Sequence, residues 1–233
     1  MVIVACGKRS AAPSPARMAC GQGVEARRRP MTPERRAAVE SIGPIAHLYA
    51  PNTFHHQWLG DWSRAFAEAT VHAPAALATK RPDLRIDRFH DGNDVCDFGG
   101  QVTEIPIRGC RLVETALVHG PGRTAVVTDL VHNVGRPTHG WTKFYTRVMG
   151  FYDRVAISRV LRWTAFDDKG AARQGVDALL DHSFEGLIVG HGSPIAAAGR
   201  DALAGATSWL PDVRPRLPAV AKRPALFSPK PCG

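Results

Sequence analysis

Arg123-Thr124-Ala125-Val126-Val127-Thr128-Asp129-Leu130 decides how the chain is read: a β-branched apolar run that delivers a lone carboxylate at its C-terminal end. Such a run reads as a buried strand, and the strand places the carboxylate at its lip. Just upstream, Glu114 to Gly120 reads as a second strand, and Pro121-Gly122 between the two is turn chemistry, so the pair is expected to form a hairpin. Downstream, Leu187-Ile188-Val189-Gly190-His191-Gly192 repeats the design, with a short apolar strand ending in one polar side chain between glycines. An aspartate and a histidine at two strand lips point to one shared site.

Helices and further strands surround this centre. Thr32-Pro33-Glu34-Arg35 is a helix start, with Thr32 as N-cap and Pro33 at the first helical position. Ile45 to Ala50 reads as a strand broken by Pro51-Asn52, after which His55-His56 opens an amphipathic helix carrying Trp58, Leu59, Trp62 and Phe66. Val71 to Ala73 is a short strand, and Val102 to Arg108 alternates like one, although Pro106 demotes it to a sheet edge or a bulge. Phe144 to Tyr152 reads as helical and aromatic, Val155 to Phe166 as a second helical piece, and Ala171 to His182 and Arg200 to Leu210 as the last two helices. Strands alternating with helices, plus a hairpin, predict an α/β domain with a mixed sheet.

The chain has 233 residues, 44% of them hydrophobic, which suits one well-buried domain. Its net charge of +9 is unevenly placed: residues 1–36 carry +6 and residues 211–233 carry +4, leaving −1 for residues 37–210. The basic character therefore belongs to the ends, and any contact with nucleic acid is expected through those basic tails only. Residues 1–31 and 211–233 are rich in Pro, Ala and Arg without a period that buries a face, and are expected to be disordered tails around a domain spanning residues 32–210. No apolar run approaches the roughly 20 residues that span a bilayer. The first residues lack the charged leader of a signal peptide. A cytoplasmic protein with no membrane partner is the expectation. The five cysteines are odd in number and lack Cys-x-x-Cys spacing, so neither a disulfide framework nor a zinc-finger module is indicated.

His55, His56, Asp129 and His191 supply imidazole and carboxylate, the ligand types of zinc and iron. Each alone has a plainer account: Asp129 as a helix cap, His191 as an exposed loop histidine, and the His55-His56 pair as packing. Together at strand ends they describe a site. Residues 32–210 also resemble the metallo-β-lactamase fold, and within it the DUF4336 group of β-lactamase-like proteins. The resemblance rests on Ala50-Pro51-Asn52-Thr53-Phe54-His55-His56, Lys80-Arg81-Pro82-Asp83-Leu84, Glu114-Thr115, the Arg123 to Leu130 strand, and Gly190-His191-Gly192.

That resemblance implies an αββα sandwich, here lacking or altering the N-terminal edge strands. It also implies a metal motif, His-x-His-x-Asp-His, whose first two histidines fall on Pro51 and Thr53 and whose Asp-His falls on His55-His56. The later aspartate falls on Asp129, the last histidine on His191, and the remaining histidine near Cys110. One metal position is therefore largely lost. The other keeps His55, His56, Asp129 and His191 for a single Zn or Fe ion, with Asp129 as the catalytic carboxylate and Glu114 and His132 as supporting residues around the ligands. The implied activity is metal-dependent hydrolysis of an ester, thioester or phosphodiester small molecule, the alternative being a catalytically silent fold that serves as a binding or interaction module.

Overall fold

All six side chains from Glu114 to His119 are buried, which a strand achieves only when both of its faces are covered. The computed structural model, which describes residues 2–5, 31–41, 43–91 and 98–212, shows what covers them. In chain order the elements are β1 (Val2–Ala5), α1 (Pro33–Glu40), β2 (Ile45–Tyr49), α2 (Leu59–Ala65), β3 (Thr70–Ala73), α3 (Ala75–Lys80), β4 (Arg88–Phe89), β5 (Val102–Ile107), β6 (Glu114–His119) and β7 (Thr124–Val126). There follow α4 (Gly140–Met149), α5 (Arg159–Thr164), α6 (Lys169–Leu180), β8 (Gly186–Ile188) and α7 (Gly199–Thr207). They build two four-stranded sheets, in the orders β1-β2-β3-β4 and β5-β6-β7-β8.

Because side chains alternate across a strand, each sheet feeds two different layers. In the second sheet Ile105, Ile107, Ala116, Val118, Ala125, Val127 and Leu187 face outward into a cluster with Ala172, Val176 and Leu179 of α6 and Leu203 and Ala206 of α7. The intervening Val102, Leu117 and Val126 face inward and meet Tyr49 of β2 and Phe98. In the first sheet Leu48, Ala50, Val71 and Ala73 turn outward onto Leu59 and Trp62 of α2 and Leu77 of α3. The order is helices, sheet, sheet, helices, the αββα sandwich. The inner layer is unusually polar, since His72 and His90 stack on Tyr49 and His47 packs edge-on against Phe98.

Several expectations hold in detail. Thr32 caps α1 by accepting the Arg35 N–H at 3.3 Å, β6 and β7 pair antiparallel, and β5 with its Pro106 is an edge strand. One does not. Residues 1–31 were expected to be a structureless tail in a fold with its N-terminal edge lost or altered, yet Val2–Ala5 pairs antiparallel with β2, from Val2 opposite Tyr49 to Ala5 opposite Ile45. Four apolar residues before a long aperiodic segment are too short to show a period, so the strand is visible only through its partner. Residues 6–30 and 213–233, where the rest of the two tails was expected, lie outside the described residues. Among the described residues no helix is long and apolar enough to cross a membrane.

Candidate metal centre

The second sheet itself brings Asp129 and His191 together. Strands β7 and β8 are parallel neighbours with Val126 opposite Ile188, and the same offset of 62 residues carried three positions onward sets Asp129 opposite His191. Backbone hydrogen bonds extend the pairing past the strand ends, from Val127 N to Ile188 O at 2.9 Å and from Gly190 N to Thr128 O at 3.0 Å. The two glycines around His191 make the approach possible. A Cβ on Gly190 would stand 2.3 Å from Thr128 O, and one on Gly192, whose φ is +100°, would stand 1.8 Å from Asn133 O. Only glycine lets the two backbones come so close.

His55 arrives from the other sheet, on the turn that follows β2. That turn is tied to the second sheet by Thr53 N to Leu112 O at 3.4 Å and Thr115 N to Pro51 O at 2.9 Å. Its organiser is Asn52, fully buried. The Asn52 Oδ1 accepts the backbone N–H of Phe54 at 2.9 Å and of His55 at 2.8 Å, while its Nδ2 donates to Thr128 Oγ1 at 3.0 Å and Asp129 Oδ2 at 2.8 Å. One amide thus fixes both the turn that carries a histidine and the carboxylate that faces it. Asn52 reads from sequence as a turn former only, because Pro-Asn is ordinary turn chemistry. The fact that separates it is burial, which the sequence does not print.

His55 Nε2 lies 3.1 Å and His191 Nε2 3.0 Å from the same oxygen, Asp129 Oδ1. Among the described residues, these three form a group of metal-competent side chains whose ligand atoms all lie within 4.8 Å of one another. Ligands on bonds of about 2.0–2.1 Å at tetrahedral angles sit roughly 3.3–3.4 Å apart, so small rotations open this set to hold an ion. Two imidazoles and one carboxylate fit the three-ligand pattern that leaves a further position open. Access exists on one side, where the His191 side chain is 42% exposed while that of Asp129 is 11% exposed. Burial opposes ionisation of Asp129, but hydrogen bonds from His191 and His55 outweigh it and hold the carboxyl well below the usual carboxylate range. The site thus keeps a full negative charge facing two imidazoles.

The remaining expected residues fall differently. His56 is outside the group; its Nδ1 is buried without a hydrogen-bond partner, and burial, with Lys80 and Arg81 nearby, lowers its pKa. One residue further along a tight turn points a side chain elsewhere, so the adjacent pair gives one member of the metal-competent group and not two. Glu114, expected to receive an imidazole N–H, instead accepts the backbone N–H groups of Thr128 at 2.6 Å and Asp129 at 2.8 Å. It is the anchor of the strand end that presents Asp129, and burial, then the Asp129 charge, pushes its pKa up to about 7. His132 does not reach the three ligand atoms; its ring is packed between Phe151 and His191 at 5.3 and 5.1 Å. Burial pulls its pKa down to about 4, with the His191 charge adding to the effect.

Of the second metal position nothing is assembled among the described residues. Pro51 is buried in its turn, and Cys110 lies in the outer core with Phe166 and Val176.

No family model matches this sequence, and no curated protein does either. Solved structures do match. A metallo-β-lactamase from Pontibacter korlensis aligns at 12% identity over 76% of this chain and 75% of its own, with a TM-score of 0.49. A second from Hirschia baltica aligns at 12% identity over 75% and 74%, with a TM-score of 0.47. A mutant flavo di-iron protein from Thermotoga maritima aligns at 12% identity over 74% of this chain and 46% of its own, with a TM-score of 0.50. At such identity the likeness is one of architecture alone, and the chain shares its fold with the flavo di-iron protein, matched at a TM-score of 0.50.

Proposed function

We propose that the chain is a metal-dependent hydrolase-like protein that holds one ion, zinc or iron, on His55, Asp129 and His191, and that it is a member of the DUF4336 group. The observation that carries the reading is the convergence of two imidazole nitrogens, from two different sheets, on one carboxylate oxygen. A divalent ion held by that set would supply Lewis acidity. The chain supplies the rest. Asp129 contributes the one formal negative charge among the three ligands, Asn52 holds its second oxygen, and Glu114 clamps the peptide on which it sits. The substrate in this reading is a small ester, thioester or phosphodiester, approaching from the side on which His191 is exposed. Membership of the DUF4336 group is supported by the order of the Ala50 to His56 turn, the Lys80 to Leu84 element, Glu114-Thr115, the Asp129 strand and Gly190-His191-Gly192.

The test is elemental analysis of the purified protein and of Asp129→Asn, which keeps the shape and removes the charge. Even changes to residues around metal ligands typically lower affinity about 10–100-fold, so at least that loss is expected, with melting altered only by the stabilisation that bound metal contributes. A wild-type protein that carries no zinc or iron and takes up neither would leave the silent binding module in its place.

A further inference from the structure

Helix α4 wears its apolar face outward. Trp141, Phe144, Tyr145 and Val148 stand at i, i+3, i+4 and i+7, the spacing of one helical face, and all four are exposed, Trp141 at 67% and Phe144 at 59%. The buried residue of this helix is Thr146. An amphipathic helix in a folded domain normally does the reverse. Helix α5 adds Val160 at 45% and Trp163 at 77% exposure, and its first residue is tied to the last turn of α4, since Arg159 Nη1 donates to Val148 O at 3.1 Å. Such a run of exposed aromatic and aliphatic side chains marks an interaction surface.

Its charge says what kind. Residues 136–165 contain Arg136, Lys143, Arg147, Arg154, Arg159 and Arg162 against the single acid Asp153, whose carboxylate is taken by Arg136 Nε at 2.6 Å. Arg162 is turned onto Trp209, but the exposed Arg147 lies within α4 and Arg159 is tied to its end, so the stripe is flanked by cations in a body that is near neutral as a whole. Tryptophan and phenylalanine on one side of a short helix, with lysine and arginine beside them, is the make-up of helices that lie in a membrane interface. Base stacking on single-stranded nucleic acid would use aromatic faces lining a groove, whereas here the aromatics stand along one side of a helix and the stripe includes two valines. We propose that the outer face of α4 and α5 docks peripherally on a bilayer surface containing anionic phospholipid.

Peripheral docking needs no spanning helix, so it is compatible with the absence of one among the described residues. The docked face also lies close to the candidate metal centre. Tyr145 packs on Phe151 at 6.0 Å, Phe151 on His132 at 5.3 Å, and His132 on His191 at 5.1 Å. The ring contacts join the face to the site through the buried Phe151 and His132. The surface stands whether or not the three ligands bind metal.

The test is co-sedimentation of the full chain with phosphatidylcholine vesicles made with and without phosphatidylserine, read together with tryptophan emission. Binding that requires phosphatidylserine, weakens with salt and shifts the emission to the blue is expected. Trp141→Ala combined with Trp163→Ala should lower partitioning at least about tenfold, given the apolar surface each indole buries, while leaving melting and metal content unchanged. The basic residues in 1–36 and 211–233 attract the same vesicles, but those segments contain no tryptophan, so binding through them leaves both the emission and the variant's affinity unmoved. The proposal is overturned if the variant binds vesicles as the wild type does, or if the wild type does not bind. It is equally overturned if the variant loses self-association or oligonucleotide binding instead. Phe144→Ala, a third exposed position, gives the same readout should the double variant fold poorly.

Discussion

Asn52 donates to Asp129 Oδ2 at 2.8 Å from a side chain with no exposure to solvent, and the same side chain accepts the backbone N–H of His55 at 2.8 Å. Two ligand candidates that are 74 residues apart are thus held by one amide. In Asn52→Ala both lose their brace, and Thr128 Oγ1 loses its donor. Removing the partners of buried polar groups destabilises by about 1–3 kcal/mol, and loss of a residue that orients ligands typically weakens metal binding about 10–100-fold. Thermal melting and a zinc titration against a competing chelator check the two effects separately. Unchanged affinity with lowered melting would make Asn52 a residue of the fold alone.

Gly190 and Gly205 give a paired prediction from one substitution. A Cβ on Gly190 meets the Thr128 carbonyl and its neighbouring backbone at 2.3 to 2.8 Å, whereas one on Gly205, in helix α7, meets nothing within 4 Å. Gly190→Ala must push apart the two strand ends that carry Asp129 and His191, and overpacking of this kind destabilises by about 1–3 kcal/mol. Gly205→Ala should stabilise by about 0.5–1 kcal/mol, since alanine is the better helix residue. Urea unfolding of the two variants reads both signs, and weaker metal binding is expected of the first only.

The strand ends were legible because the signal is local: an apolar run stopping at Asp129, and another stopping at His191 between glycines. Their mutual distance was legible only as an expectation of convergence, since the 62-residue register that sets them side by side belongs to the pairing of β7 with β8. The choice between His55 and His56 was not readable, because adjacent residues on a turn have the same composition signal and opposite aims. Glu114 was marked as a partner of the site, but its actual partners are backbone amides, which carry no sequence identity. An aromatic helix was expected over Phe144 to Tyr152 and forms over Gly140–Met149, so Phe144, Tyr145 and Val148 of the outward face were within the reading and Trp141 was outside it. The direction of that face depends on Thr146 being the residue that packs, and no propensity predicts a threonine facing inward with four large apolar residues facing out.

Acid should loosen the layer between the sheets. Burial pulls His72 down to about 4 and lowers His47 and His90 as well. Between an ordinary histidine value near 6.5 and about 4, the unfolded chain binds protons that the folded chain refuses, so stability falls as pH falls through that window. Each such proton contributes at most about 1.4 kcal/mol per pH unit. Glu114, held near 7, works in the opposite sense above its ordinary value, because there the folded state binds the extra proton. The His72 part is isolated by measuring urea stability of wild type and His72→Gln across pH 4 to 7. The wild type's stability relative to the variant should decline steadily as the pH is lowered, and a constant difference would show that His72 is not the group refusing the proton.

Cys110 is the residue nearest the place of the missing motif histidine, and its surroundings make it inert. It lies in the outer core, and burial pushes its thiol up to about 12, with the charges of Glu114 and Asp129 adding to that. Since the thiolate is both the nucleophile and the metal ligand, a pKa of about 12 leaves roughly one part in ten thousand ionised at pH 8. Iodoacetamide labelling of the native protein, mapped by mass spectrometry, should therefore leave Cys110 unmodified, with modification appearing only in denaturant. Cys110→Ser puts a polar hydroxyl in an apolar cluster and should lower the melting temperature while leaving zinc affinity as it was. If labelling of native Cys110 were fast and were blocked by zinc, the thiol would belong to the metal centre, and the three-residue ligand set would need a fourth member.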